Sequence, residues 1–211
     1  MSIVHLIRHG QVHNPDGVLY ERLPGYHLSE LGQRMAEVTA DFLSAKPVIH
    51  LRCSPLERAQ QSMIPIAAVF AGVEVVTDAR VIEAGNVFAG QRMGSTGEAA
   101  KQPKNWRYLL NPLRPSWGEP YRDIAERTVA AILDAAAVAG TDGQAAIVSH
   151  QLPIWVARLR AEGRPLWHDP RKRQCTLSSV TSFHVQGGVI TRIEYEEPAA
   201  ALLPRGPHFG F

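Results

Sequence analysis

An α/β fold, doubly wound around a mostly parallel sheet with helices on both faces and an antiparallel edge hairpin, is what this sequence predicts. Three observations lead there. Short apolar runs that end in polar residues, Ile3 to Ile7, Val48 to Leu51 and Ala145 to Val148, alternate with longer stretches whose apolar residues recur every three or four positions. The last two strand-like runs are separated only by Gly187-Gly188, a hairpin signal. At 211 residues, 45% hydrophobic and 20% charged, the chain can bury a large core in the manner of an ordinary globular domain.

Taken in order, Ile3-Val4-His5-Leu6-Ile7 reads as a first, buried strand. Leu28-Ser29 opens a helix running to about Ala45, with Leu31, Met35, Val38 and Phe42 as its apolar stripe. Val48 to Leu51 is a second strand. A helix follows from about Pro55 to Phe70, with Ser54 as its cap and Gly72 as its stop. Val73 to Val76 is a short strand. Residues 85–118 are rich in Gly, Asn, Pro and Trp and read as an irregular segment that covers a pocket. The helix from Glu119 to about Val138 is the clearest element, because Ile124, Thr128, Ile132 and Ala136 share one face and Glu119 and Pro120 suit its start. Ala145 to Val148 is a strand, Ile154 to Ala161 a helix entered through Pro153, and Thr176 to Val185 and Val189 to Glu196 are the hairpin strands. Residues 1–197 then form one domain, and 198–211 an extended tail.

Composition excludes several classes of function. A net charge of +2 gives no case for nucleic acid or an anionic membrane. No apolar run approaches membrane-spanning length, and Met1-Ser2 leads straight into a strand, so a cytoplasmic location is expected. The only cysteines, Cys53 and Cys175, fit a reducing compartment and read as small buried residues. Of the histidines, His5 reads as structural, and His13, His27, His50, His168, His184 and His208 lack the spacing of metal ligands. Neither a metal nor another cofactor is expected.

The chemistry concentrates where strands end and helices begin. Arg8-His9-Gly10 closes the first strand, and a glycine there permits a sharp turn and close approach to a ligand. Arg58 falls in the first turn of the second helix. Glu83 follows an apolar stretch, and Ser149-His150 closes the Ala145 strand. Two His, two Arg and one Glu therefore fall at strand ends or helix starts.

This ordered set resembles the histidine phosphatase superfamily, the phosphoglycerate-mutase-like fold. The matching stretches are Arg8-His9-Gly10 with Asn14, Ser54-Pro55-Leu56-Glu57-Arg58-Ala59, Glu83, Gly118-Glu119 and Ser149-His150, and they span roughly residues 3 to 196. The chain departs from the family pattern at Gln11-Val12, where a hydroxyl is missing. It departs again at Phe88-Ala89-Gly90, which lacks a second carboxylate, and at Gln151-Leu152-Pro153, where glycines are usual. No core catalytic group is lost.

The resemblance implies a metal-independent phosphomonoester hydrolase acting on a small phosphorylated metabolite. His9 would attack phosphorus in line and form a phosphohistidine that water hydrolyses. Arg8, Arg58 and His150 would hold the phosphate oxygens, the arginines through bidentate forks. Glu83 would protonate the leaving alkoxide and later take a proton from water. Asn14, Arg22 and Gln151 are candidate substrate-binding residues: Asn14 tightens the loop after His9, Arg22 lies at the pocket mouth, and Gln151 sits at a helix start. The basic side chains Arg92, Lys101, Lys104, Arg107 and Arg114 are expected to meet a second anionic group on the substrate. Two alternatives stay open, a phosphoglycerate-mutase-type phosphotransferase and a non-catalytic phosphate-binding protein. The short interval between Glu83 and His150 favours a site that water can reach, and hence hydrolysis. The resemblance leaves a homodimer open.

Overall fold

A computed structural model describes residues 1–91 and 118–203. It contains six strands, β1 (Ser2–Arg8), β2 (Val48–Cys53), β3 (Val75–Thr77), β4 (Gln144–Ser149), β5 (Val180–Gln186) and β6 (Val189–Glu196). Four α-helices accompany them, α1 (Glu30–Ser44), α2 (Glu57–Val69), α3 (Tyr121–Ala139) and α4 (Gln151–Ala161). The sheet order is β3-β2-β4-β1-β5-β6. The first four strands run parallel, whereas β5 is antiparallel to β1 and β6 to β5. The doubly wound sheet with an antiparallel edge is therefore present.

Alternation along the strands divides the core. Val4, Leu6, Ala145 and Ile147 face the layer containing Ala131, Ile132 and Ala135 of α3 and Ile154 and Ala157 of α4. Ile7, Ala146 and Val148 face the opposite layer, with Ala40 and Leu43 of α1 and Ala59, Met63 and Ile66 of α2. Both faces of β1 and β4 are thus covered, which explains why these strands read as almost continuous apolar runs. His5 breaks that pattern inside β1, yet its two ring nitrogens bond Ser182 Oγ at 2.8 Å and Gln144 Oε1 at 2.7 Å. It is structural, as its position predicts.

Several boundaries differ from the expected ones. Helix α2 begins at Glu57, and its capping position is Leu56, not Ser54. The hydroxyl of Ser54 is engaged elsewhere, as described below, so a cap-like residue has been drawn into the site. Helix α4 begins at Gln151, three residues before the expected start, because Pro153 sits in the first turn where no N–H is needed. Strand β5 starts at Val180, not Thr176. Ser178 adopts a left-handed φ of 54° just before it, which ends any extended run. The hairpin turn is formed as expected, with Gly187 and Gly188 at φ 58° and 77°. The tail begins with a 3-10 turn at Ala200–Leu202 instead of extended chain, seated on the buried Ala199. Residues 92–117, with Arg92, Lys101, Lys104, Arg107 and Arg114, and residues 204–211 lie outside the described residues.

Candidate active site

Each parallel strand leads into at least one of the candidate groups at the same edge of the sheet. Arg8 ends β1 and His9 follows it; Arg58 lies in the first turn after β2; Glu83 lies beyond β3 and a short 3-10 turn; His150 follows β4. Register enforces the alignment, since Arg8 pairs with Ser149 and Cys53 with Val148. Backbone bonds carry it past the strand ends: His9 N–H donates to Ser149 O at 3.1 Å, and Ser54 N–H to Val148 O at 3.0 Å. Strand β5 starts at this edge too, and Arg8 N–H donates to Ser179 O at 3.1 Å.

The turn at Gly10 is as tight as the sequence suggests. A Cβ at this position would stand 2.3 Å from the carbonyl oxygen of Gly32 in the first turn of α1. The Gly10 N–H donates to Ser62 Oγ at 3.1 Å, and that hydroxyl donates to Arg58 O at 2.8 Å. The loop bearing His9 is therefore fastened directly to the helix bearing Arg58.

Four of the five core groups are deeply buried, Arg8, His9, Arg58 and His150 being no more than 4% exposed. The rings of His9 and His150 meet edge to face, with centroids 5.1 Å apart. His9 Nδ1 lies 2.8 Å from Gly10 O; a carbonyl only accepts, so this nitrogen carries the proton and Nε2 the lone pair. Arg58 Nε–H points at that lone pair from 3.3 Å. Burial, reinforced by Arg58 and then Arg8, holds the His9 pKa well below its usual value, so the ring is neutral. Burial and Arg58 do the same to His150.

Two buried nitrogens in this cluster have no acceptor among the described residues. Arg8 Nη1 donates to Cys175 O at 2.7 Å, but Arg8 Nε is buried without a partner among the described residues. Ser54 Oγ lies 2.7 Å from His150 Nε2 and accepts from Leu56 N–H at 3.4 Å. The serine proton can then go to Nε2, which puts the imidazole proton on Nδ1, a buried nitrogen also lacking a partner. Buried donors without acceptors cost about 1–3 kcal/mol each, and an oxyanion between them would satisfy both.

Glu83 is half-buried, and its Oε1 accepts from Ala84 N–H at 2.8 Å. Arg22 holds this loop: its Nε donates to Glu83 O at 2.6 Å and its Nη2 to Glu119 Oε2 at 2.7 Å. Asn14 closes a small loop on itself, with Nδ2 donating to Val18 O at 2.8 Å and Oδ1 accepting from Val18 N–H at 3.1 Å. Gln151 Nε2 reaches Cys175 O at 3.4 Å, the carbonyl that also anchors Arg8.

Three neighbours of the cluster escaped the sequence reading. The Tyr20 ring lies under the Arg58 guanidinium at 4.7 Å. Glu21 has a left-handed φ of 38°, and its carbonyl accepts from Arg58 Nη2 at 2.6 Å. Burial first, and then the charge of Glu83, push the Glu21 carboxyl up to about 8. Arg173 is half-buried beside Gln151. Nothing in Tyr20-Glu21-Arg22 or Arg171-Lys172-Arg173 distinguishes these residues from a solvated loop. The two cysteines are buried thiols, and burial raises both pKa values, Cys175 to about 11.

The chain matches the histidine phosphatase superfamily (branch 1) over residues 4–196. The uncharacterised protein Rv0525 of Mycobacterium tuberculosis (strain ATCC 25618 / H37Rv) is 48% identical over 197 residues, covering 93% of this chain and 96% of that one. A 2,3-bisphosphoglycerate-dependent phosphoglycerate mutase of Thermoplasma acidophilum is 30% identical over 159 residues, 74% of each chain. Among solved structures, the mycobacterial glucosyl-3-phosphoglycerate phosphatase Rv2419c superposes with a TM-score of 0.70 at 21% identity, over 92% of this chain and 97% of that one. At that identity the likeness is one of fold.

Proposed function

The chain belongs to the histidine phosphatase superfamily, and from that premise we propose that it is a phosphomonoester hydrolase working through a phosphohistidine on His9. The observation that carries this reading is the neutral, buried His9 with its Nε2 lone pair held among Arg8, Arg58 and His150. A phosphate bound there takes hydrogen bonds from Arg8 Nε and His150 Nδ1. It also competes for Arg58 Nε–H, which frees the His9 lone pair for attack.

In the first step His9 Nε2 bonds to phosphorus as the ester P–O bond breaks, and Glu83 gives its proton to the departing alkoxide. In the second, water attacks the phosphohistidine, Glu83 accepts the proton, and orthophosphate leaves. Arg22 acts through Glu83, holding the loop from which the acid projects. The substrate is a small phosphorylated metabolite. A transferase reading has one specific support, the mutase relative at 30% identity. It uses the same first step and returns the phosphoryl group to a second hydroxyl.

The test is a panel of phosphomonoesters assayed for released orthophosphate and for an acid-labile phosphoryl label on the chain. Hydrolysis together with label lost in His9→Ala supports the proposal, and His9→Ala is expected to lower kcat by at least about 10⁴-fold, as for other covalent nucleophiles. Label that moves to an acceptor alcohol in place of water establishes the transferase. Tight phosphate binding with neither turnover nor label establishes a binding protein.

A further inference from the structure

The described arginines fall into three groups. Among the described residues, Arg22, Arg52, Arg80, Arg122, Arg127, Arg158, Arg164, Arg171 and Arg192 each form an ion pair with Asp or Glu. Arg34 and Arg160 form none and are exposed, where water solvates them. Three shielded arginines also have no ion-pair carboxylate among the described residues. Arg8 and Arg58 are two, and the phosphate accounts for them. Arg173 is the third.

Among the described residues Arg173 bonds only to neutral acceptors. Its Nε donates to His168 Nε2 at 2.8 Å, and its Nη1 to Gln151 Oε1 at 3.3 Å. His168 is itself fixed, with Nδ1 against Leu166 O at 2.7 Å and its ring against Tyr121 at 5.3 Å. Gln151 continues the connection, because its Nε2 shares the Cys175 carbonyl with Arg8 Nη1. A continuous line of contacts, Arg8 to Cys175 O to Gln151 to Arg173, thus fixes a third guanidinium beside the phosphate clamp. Burial lowers the Arg173 pKa, with smaller contributions from Tyr121, Glu83 and Arg8. A half-buried guanidinium whose acceptors among the described residues are all neutral is an unfilled electrostatic demand.

We propose that Arg173 is a specificity-determining residue that receives a second oxyanion of the substrate, a carboxylate or a second phosphate, carried a few bonds from the scissile phosphoester. The proposal rests on the phosphatase reading above. It gives the substrate a class, a compact phosphomonoester that is also an acid. It also places second-anion recognition on the segment between α4 and β5, apart from the basic residues 92–117.

Three esters on one three-carbon skeleton test it: 3-phosphoglycerate, glycerol 1,3-bisphosphate and glycerol 3-phosphate. The readout is the kcat/KM ratio of each of the first two to the third, in the wild-type chain and in Arg173→Gln. The wild type is expected to prefer at least one doubly anionic ester, and Arg173→Gln to lower that ratio by about 10- to 100-fold, the usual worth of a charge-assisted hydrogen bond. Arg173→Lys, which keeps the charge but loses the fork, is expected to recover part of it. The carboxylate and bisphosphate arms identify which oxyanion is taken. A wild-type ratio near one, or a ratio that Arg173→Gln leaves unchanged whatever happens to absolute rates, overturns the proposal. Calorimetric titration of the full chain with the same three esters keeps the two readings apart. If nothing is hydrolysed the phosphatase reading fails, while the Kd ratio and its response to Arg173→Gln still decide for or against the subsite.

Discussion

Glu21 shows how one side chain couples backbone strain to the chemistry. Its left-handed backbone turns the carbonyl toward Arg58 Nη2 and leaves the carboxyl near Asn86 Nδ2 at 3.5 Å. With its pKa raised to about 8, the carboxyl is neutral at pH 7 and acquires its charge above pH 8. A negative charge there repels a phosphate dianion, so kcat/KM is expected to fall by up to about 10-fold between pH 7 and 9.5 in the wild type, one unit of opposing interaction being about 1.4 kcal/mol. Glu21→Gln keeps the neutral state at every pH and should flatten that limb. Superimposable pH–rate profiles for the two proteins would remove Glu21 from the pocket's electrostatics. Arg8, His9, Arg58 and His150 were legible from the sequence because each ends or follows a recognisable strand or opens a helix, whereas Glu83, beyond β3 and a 3-10 turn, was read only as a carboxylate after an apolar stretch. Glu21 and Arg173 were not, because a loop residue's surroundings are set by contacts that its own pattern does not reveal: Arg58 for the one, Gln151 and the nearer His168 for the other. Ser54 illustrates the converse. Its type and position predict a helix cap, and only the arrival of His150 from β4 redirects its hydroxyl.

At the level of elements, the decisive contact is the one between the Gly10 turn and the first turn of α1. Gly32 answers Gly10 across it, since a Cβ on Gly32 would lie 2.0 Å from Gln11 O. Neither close approach is to a flexible side-chain tip that could swing aside. Gly10→Ala is therefore expected to push the turn off α1, weakening the Gly10–Ser62 bond and displacing His9 from the line of attack proposed for it. A displacement of about 1 Å costs on the order of 100-fold in rate, so kcat should fall at least that far while the chain keeps its far-ultraviolet circular dichroism. Wild-type turnover in a folded Gly10→Ala protein would show that the turn does not position the nucleophile. The sequence signals the need for glycine at position 10, but not the partner, because α1 reads as an amphipathic helix with no mark on Gly32. The order of elements was equally legible, whereas their ends slipped by two to four residues at α2, α4 and β5, where Pro153 and Ser178 set local geometry that periodicity does not encode.

For the molecule as a whole, acid sensitivity follows from three imidazoles held neutral inside it. Burial brings His5 down to about 4, and brings His9 and His150 well below their usual value. Below pH 6.5 the unfolded chain takes up these protons and the folded chain does not, so the unfolded state gains and stability falls as pH drops. With all three acting together the slope reaches about 4 kcal/mol per pH unit, from 2.303RT per proton. Glu21 works in the other direction: its folded pKa lies above the unfolded one, so stability falls gently as pH rises from about 4.5 to 8. Urea titrations from pH 4.5 to 9 should place the maximum near pH 6.5–7, and a flat acid limb would mean that the three rings take up protons without unfolding.

The fifth strand borders the first. His5 of β1 bonds to Ser182 of β5 across 177 residues of chain, and the carbonyl that orients Arg8 belongs to Cys175, just before β5. Closing so long a loop is entropically costly and is among the slower events of folding. Ordering of the Arg8 side chain is thus tied to a long-range closure, because its Cys175 contact forms only once the chain leading into β5 has docked beside β1.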